Sequence, residues 1–339
     1  MIRAVVAGAT GYVGAELVAL LARHPRVRLA ALYAGERGGG GVMGDLHPLL
    51  AGLSGPPVQP LDRGLLLAGR PEAVFLATPH EVAAEMAPAI LEAGSRVIDL
   101  SGAHRLRDPE AVRRWYGFTP AAPALLAESV YGLTEWCNGE LAAARLVANP
   151  GCYATSILLA LKPVLDRLDP GQPIVCDSKS GTSGAGRRSD AAYGFSELDG
   201  NVRAYGVAGH RHDPEIRQAL GLPGSGRLCF VPHLLPMVRG ILSTLHLCFR
   251  EPIGKTDLTS IYEDAYAGSR FVHVHPEGRL PDLRRVVGTP RAEIGFARLD
   301  DGRRAVVVCV LDNLLKGAAS QAVQNFNRMF GLPEEEGLA

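Results

Sequence analysis

The sequence has no surplus of charge of either sign. Lysine plus arginine and aspartate plus glutamate stand at 35 each in 339 residues, so no overall field draws in nucleic acid or an anionic membrane surface. No stretch reaches the ~18 uninterrupted apolar residues of a membrane span. The first residues, Met1 to Gly8, read as a strand entering a turn and not as a signal peptide. Cysteine is sparse and scattered, at 137, 152, 176, 229, 248 and 309, with no Cys-x-x-Cys pair. In a chain this long, that argues against a disulfide framework or a zinc site and for a reducing cytoplasm. Repeats are absent. The one low-complexity tract, Gly38-Gly39-Gly40-Gly41, reads as a loop.

What is present is ordinary globular composition, at a length that suits two domains. Ile2 to Ala7 is a short apolar strand. Gly8-Ala9-Thr10-Gly11-Tyr12-Val13-Gly14 follows at once, and Leu17, Leu20 and Leu21 then recur at helical spacing. A glycine-rich turn between a first strand and a helix is the dinucleotide-binding arrangement: backbone N–H groups face the pyrophosphate and glycines let the chain approach it. The second strand, 28–33, ends at Gly35-Glu36-Arg37. Glu36 would accept the ribose 2′-hydroxyl of NAD, whereas Arg37 would take the 2′-phosphate of NADP. Two further strands end in Thr78-Pro79-His80 and in Ser101-Gly102-Ala103-His104-Arg105. Repeated strand–helix alternation predicts a parallel sheet, whose ligands sit beyond the carboxyl ends of the strands. Arg105 is a candidate for binding an anionic substrate there. His80 and His104 read as loop histidines rather than as catalysts.

The second half is organised around Asn149-Pro150-Gly151-Cys152-Tyr153-Ala154-Thr155. An apolar strand end precedes it and a helix follows, so Cys152 is expected at a helix N-terminus. Unpaired N–H groups and the helix dipole favour an anion there, which lowers a thiol pKa and makes a nucleophile. A buried structural cysteine is the competing reading. Residues 173–177 read as a strand running into Ser180-Gly181-Thr182-Ser183-Gly184-Ala185-Gly186-Arg187-Arg188, a second loop able to bind phosphate. His210-Arg211-His212 opens another helix, and either imidazole could carry protons for a cysteine nucleophile. The pair lacks a third ligand for a metal. Extended segments then dominate, with a hairpin signal at Asp300-Asp301-Gly302.

With these residues laid out, the chain resembles the N-acetyl-gamma-glutamyl-phosphate reductase family over nearly its whole length. The motifs are Gly8 to Leu17, Asn149 to Thr155, Ser180 to Arg187, and His210-Arg211-His212 with Pro214-Glu215-Ile216. His233, Pro236-Met237 and Arg239-Gly240-Ile241 follow, then Asn313-Leu314 and Lys316 to Asn325. The resemblance implies an α/β fold: an N-terminal Rossmann-like dinucleotide-binding domain and an α+β substrate and catalytic domain with a largely antiparallel or mixed sheet. The boundaries expected are 1–148, completed by a helix at 313–330, and 149–312, with 331–339 a disordered tail. Cys152 would be the nucleophile, with His212 or His210 as acid/base. The cofactor would be NADP rather than NAD, held by Gly8, Thr10, Gly11, Tyr12, Val13, Gly14, Arg37, Thr78, Pro79, His80, Ser180, Gly181, Gly184 and Asn313. Arg105, Asn149, Ser183, Arg187 and Arg239 would face the acyl-phosphate substrate. The enzyme is expected to be a cytoplasmic homodimer or homotetramer of arginine biosynthesis, with no metal, nucleic acid or membrane partner.

Three departures from the family pattern stand out: Gly35-Glu36-Arg37 in place of a Ser-Arg pair, Gly102-Ala103-His104 before Arg105, and Ser320 in place of glycine. The related aspartate-semialdehyde dehydrogenases are expected to carry a catalytic histidine just after an Arg-Gly pair, where this chain has Ile241. That argues against an aspartyl substrate and leaves an aminoadipyl one open. A non-catalytic dinucleotide-binding redox sensor is the remaining alternative, and it leaves Cys152 and the histidine motif unused.

Overall fold

The computed structural model describes residues 1–338 except 36–39, 138, 188–190, 223 and 225. Arg37 and Glu36, and with them the expected choice between NADP and NAD, lie outside the described residues. So do half of the glycine tract and Arg188. The chain divides into two compact units, Met1–Pro150 with Ala318–Ala339, and Gly151–Gly317.

The first unit is built on seven strands: β1 (Ile2–Ala7), β2 (Val27–Ala34), β3 (Val58–Pro60), β4 (Ala73–Leu76), β5 (Arg96–Asp99), β6 (Val130–Tyr131) and β7 (Leu146–Ala148). They lie in the order β3-β2-β1-β4-β5-β7-β6, and every pairing is parallel. The order reverses at β1, so the turn after β1 stands at the switch point where such sheets bind ligands. Val74, Phe75, Leu76, Val97 and Ile98 are fully buried, as expected of strands covered on both faces.

The second unit holds β8 (Ile174–Ser180), β9 (Arg203–Ala204), β10 (Leu228–Leu234), β11 (Ile241–Cys248), β12 (Val272–Val274), β13 (Ala292–Leu299) and β14 (Arg304–Leu311). Their order is β12-β13-β14-β11-β8-β10-β9. β8–β10 and β12–β13 are parallel and the remaining pairs antiparallel, so the sheet is mixed, as the sequence predicts. Asp300 and Asp301 take positive φ in the turn joining β13 to β14, the hairpin their sequence signals.

One helix matters most. Cys152–Leu161 is buried along its whole length from Tyr153 onward, so apolar residues surround it on every side. Each buried Leu or Ile contributes about 1.5–3 kcal/mol, which fixes the helix in the core of its unit. Polar ties then set its height on the sheet. The Tyr262 hydroxyl donates to the Ala160 carbonyl at 2.6 Å and that of Tyr266 donates to Leu159, satisfying carbonyls at the helix end. The Ser156 hydroxyl donates to the Tyr153 carbonyl at 2.9 Å and lies 2.7 Å from Ser243 Oγ, which lies 2.7 Å from Ser178 Oγ. Each hydroxyl has one proton, so the chain runs in one sense, Ser178 to Ser243 to Ser156 to carbonyl.

Two expectations at the C-terminus are corrected. The segment 313–330 is not a single helix. The Asp312 carboxylate receives the Leu314 and Leu315 N–H groups, a π-helical turn spans Leu315–Ala319, and an α-helix follows over Ser320–Met329. Nor is the tail loose. Asn327 Nδ2 donates to the carbonyls of Glu334 and Glu336 at 3.0 and 2.9 Å, Gln324 donates to the Glu334 carboxylate, and Leu338 is buried. A run of glutamates reads as solvated because its backbone partners lie on a helix face that composition does not display.

Candidate active site

Cys152 is the first residue of its helix, and Gly151 before it is extended. Its side chain is partly exposed. Three neighbours of that turn come from distant sequence in the same unit. The Gly151 N–H donates to Glu215 Oε1 at 2.7 Å, and Glu215 is fully buried. His212 lies against Gly151: a Cβ added there would fall 2.4 Å from His212 Nε2. The π-helical turn closes the other side, where a Cβ on Gly317 would fall 2.8 Å from Cys152 Cβ. The glycines at 151 and 317 are therefore what let the histidine and the π turn come so close. π turns of this kind recur at functional sites.

The two histidines, equivalent in sequence, differ here. His212 begins the helix His212–Ala219, and its N–H donates to His210 Nδ1 at 3.1 Å. His210 Nδ1 is therefore an acceptor. Burial, reinforced by the Arg211 guanidinium, pushes His210 down to about 4, so it is neutral at neutral pH. Its ring lies among Tyr153, Tyr205 and Phe230, all in edge contacts with centroids 5.3–5.6 Å away. The Tyr205 hydroxyl donates to that of Tyr153 at 3.2 Å, and Tyr153 donates to the His233 carbonyl at 3.1 Å. Burial raises both phenols, Tyr205 to about 12, so both remain protonated.

The second small-residue loop is laced to the end of β10 and the segment beyond it. Thr182 and Ser183 N–H groups donate to the Met237 and Val238 carbonyls, and Ser183 Oγ donates to Val238 at 2.6 Å. Asn313 bridges the two: its Oδ1 accepts the Gly240 N–H at 2.7 Å and its Nδ2 donates to Ser183 Oγ at 2.9 Å. Ser180, Gly181, Ser183, Asn313 and Arg239 are thus brought together. Arg239 is paired with the buried Asp312 at 3.3 Å. Gly184 and Arg187 are exposed on the same loop. Ile241 is fully buried at the start of β11.

In the first unit, Gly8 has φ +88°, and a Cβ on it would meet the Ala77 carbonyl oxygen at 2.2 Å. A Cβ on Gly14 would lie 2.1 Å from the Gly8 oxygen. Gly11 caps the helix Tyr12–Arg23 without a side-chain acceptor. Thr78 N lies 3.1 Å from the same Gly8 position, and Thr78 Oγ1 is buried with no hydrogen-bond partner among the described residues. A close backbone cradle, a helix N-terminus and an unpartnered hydroxyl beside them fit an anionic dinucleotide. Pro79 caps the next helix, whose first residue, His80, accepts the Gly102 N–H on Nδ1 at 2.8 Å.

Two residues read as substrate ligands are engaged in the framework. Arg105 is buried, and it donates from Nε to the Asn149 carbonyl and from Nη2 to the Leu100 carbonyl, both at 2.9 Å. The Asn149 amide donates to the Ala318 carbonyl at 3.2 Å and accepts from Asn325 at 3.0 Å. His104 stands in the loop after β5 and is tied there: its Nδ1 lies 2.7 Å from the fully buried Asp99 carboxylate. Burial opposes that charge, but bonds from His104 and Ser101 hold Asp99 below the usual carboxylate range.

Sequence reasoning missed Glu215 and Tyr205. Glu215 sits in the first turn of its helix, where an acidic residue reads as a solvated partner of the helix dipole. Nothing local announces its bond to Gly151, which is 64 residues away. Among the described residues no group of three or more His, Cys, Asp or Glu side chains could hold a metal. No helix among them is long and apolar enough to cross a membrane.

Two family descriptions match. "Semialdehyde dehydrogenase, NAD binding domain" covers residues 3–144, and "Semialdehyde dehydrogenase, dimerisation domain" covers 152–313. The chain is similar to N-acetyl-gamma-glutamyl-phosphate reductases from Halorhodospira halophila, 47% identical over 100% of this chain and 98% of that one, and from Laribacter hongkongensis, 45% identical over 100% and 98%. That from Bordetella avium is 43% identical over 98% and 95%. Among solved structures, aspartate semialdehyde dehydrogenase II from Vibrio cholerae, complexed with ASA, superposes with a TM-score of 0.72 at 20% identity, covering 97% of this chain and 98% of that one. A probable aspartate-semialdehyde dehydrogenase from Pseudomonas aeruginosa gives 0.70 at 23%, covering 96% and 97%. At those identities the structures establish the fold alone.

Proposed function

Because the chain belongs to the N-acetyl-gamma-glutamyl-phosphate reductases of the semialdehyde dehydrogenase family, we propose that it reduces N-acetyl-γ-glutamyl phosphate to the 5-semialdehyde and phosphate in arginine biosynthesis. The observation that carries the chemistry is Cys152 at a helix start, with His212 packed against the residue before it. In the forward direction the Cys152 thiolate attacks the acyl carbon. A C–S bond forms, the C–O bond to phosphate breaks, and phosphate leaves with its electron pair. The thioester holds the acyl group on the enzyme and presents a planar carbon. The Gly8–Gly14 turn and Thr78 would hold a nicotinamide cofactor, which would supply hydride to that carbon.

His212 would give a proton to the oxyanion so formed and take it back as the hemithioacetal on Cys152 collapses to aldehyde and thiolate. His210 is the lesser candidate, because it is neutral and its Nδ1 is engaged by the backbone of His212. It orients His212 instead. Glu215 fixes the Gly151 peptide and so the direction of the Cys152 side chain. Arg105 and Asn149 act mainly by holding the turn before the nucleophile. Arg187 and Arg239, the latter paired with Asp312, are the candidate cations for anionic parts of the substrate. Arg37 supports NADP as the cofactor. The match to a dimerisation domain supports a homo-oligomer.

The reverse reaction tests this reading. N-acetylglutamate semialdehyde, phosphate and NADP or NAD are supplied, and reduced cofactor is followed. Phosphate-dependent reduction of NADP is expected. Turnover only with an aminoadipate or aspartate analogue would reject the substrate and keep the chemistry. Cofactor binding without turnover of any aldehyde would reject the enzyme reading.

A further inference from the structure

We propose that His47 is a positioning residue for the cofactor turn, a latch that fixes one peptide plane of the Gly8–Gly14 loop. The inference rests on the reading of that loop as the dinucleotide site. His47 lies 37 residues from Thr10, yet its Nε2 is 3.0 Å from the Thr10 carbonyl oxygen. A carbonyl only accepts, so Nε2 carries the proton. The other end of the same peptide is also engaged: the Gly11 N–H donates to the Gly8 oxygen at 3.2 Å. With both ends held, the Thr10–Gly11 peptide cannot rotate.

His47 is itself well fixed. Its N–H donates to Met43 and its carbonyl accepts from Leu50, both at 2.8 Å. It stands between the helical turns Met43–Leu46 and Pro48–Leu50, and the proline after it favours its extended backbone. Gly40 and Gly41 pair with Val58, which ties both ends of the segment together. Met43 is buried. The segment therefore brings a donor to the carbonyl side of the turn, while the helix Tyr12–Arg23 presents its first N–H groups to the anion.

Gly11 makes a latch useful. A glycine following the peptide leaves rotation of that plane unhindered by a Cβ. A rotated plane would turn the Thr10 oxygen toward the pyrophosphate and break the Gly11-to-Gly8 bond that shapes the turn. A carbonyl dipole facing a diphosphate is repulsive, and both changes weaken binding in the same sense.

The test uses the whole chain and three variants, His47→Ala, His47→Gln and His47→Asn. Glutamine places an N–H donor about where Nε2 stands, and asparagine is too short. NADPH binding is read by fluorescence titration, beside kcat and KM for NADPH. His47→Ala and His47→Asn are expected to raise Kd and KM about tenfold with kcat within about twofold, and His47→Gln to return to within about threefold of the parent. Undiminished NADPH binding in His47→Ala overturns the proposal, as does equal loss in all three variants, which would mark general damage to the segment. A parent chain that binds neither NADPH nor NADH would overturn the reading of the glycine turn itself, a separate failure visible before any variant is made.

Discussion

Glu215→Ala tests the geometry most directly. The carboxylate is fully buried and accepts the Gly151 N–H at 2.7 Å, one residue before the nucleophile. Removing it strands a buried N–H, at a cost of about 1–3 kcal/mol. It also leaves a cavity beside the turn. If the Gly151 peptide then samples other orientations, Cys152 loses its line of attack, and about 2 kcal/mol in the barrier is a roughly 30-fold loss. The assay is the burst of phosphate released from the acyl phosphate, read beside the rate of Cys152 alkylation by iodoacetamide across pH. Glu215→Gln keeps an acceptor oxygen and nearly the same volume, and should retain most of the burst. A wild-type burst and alkylation rate in Glu215→Ala would refute the reasoning. So would a Gln variant as impaired as the Ala variant, because charge rather than the hydrogen bond would then be responsible.

Cys152→Ser is expected to abolish turnover while leaving NADPH binding unchanged in fluorescence titration, and retained turnover would rule out a thioester. His210 is pushed down from 6.5 to about 4 by burial and Arg211, so the unfolded chain takes up a proton there that the folded chain refuses. Its effect is absent above about pH 6.5 and grows as pH falls toward 4, up to about 3 kcal/mol of lost stability. Denaturation midpoints at pH 7 and pH 4.5 should converge partly in His210→Phe, and an unchanged gap would contradict the assignment. Deleting residues 332–339 removes the bonds to Asn327 and the burial of Leu338. A loss of about 2 kcal/mol corresponds to a fall in Tm of roughly 5 °C by calorimetry, and no fall would show the tail to be dispensable.

The local signals in this chain are strong where chemistry needs a particular backbone. A glycine turn after the first strand, Pro150-Gly151 before Cys152 and Asp300-Asp301-Gly302 between two apolar strands each dictate a conformation from a few residues. From them the parallel first sheet and the nucleophile at a helix start follow directly. The alternation of strands with helices yields the first sheet because each crossover is short and stereochemically constrained.

Tertiary structure decided what each polar side chain does. Arg105 and Asn149 look like free ligands in sequence, and the fold engages them with backbone groups at Asn149, Leu100, Ala318 and Asn325. His210 and His212 are separated by one residue, and the fold buries the first among Tyr153, Tyr205 and Phe230 and sets the second against Gly151. The glutamate tail reads as disordered, and the bond from Gly151 to Glu215 goes unannounced, because composition does not display which groups the fold brings together. Backbone conformation is a short-range property and is written in neighbouring residues. Desolvation and hydrogen-bond partnership are set by contacts that exist only once the chain has folded.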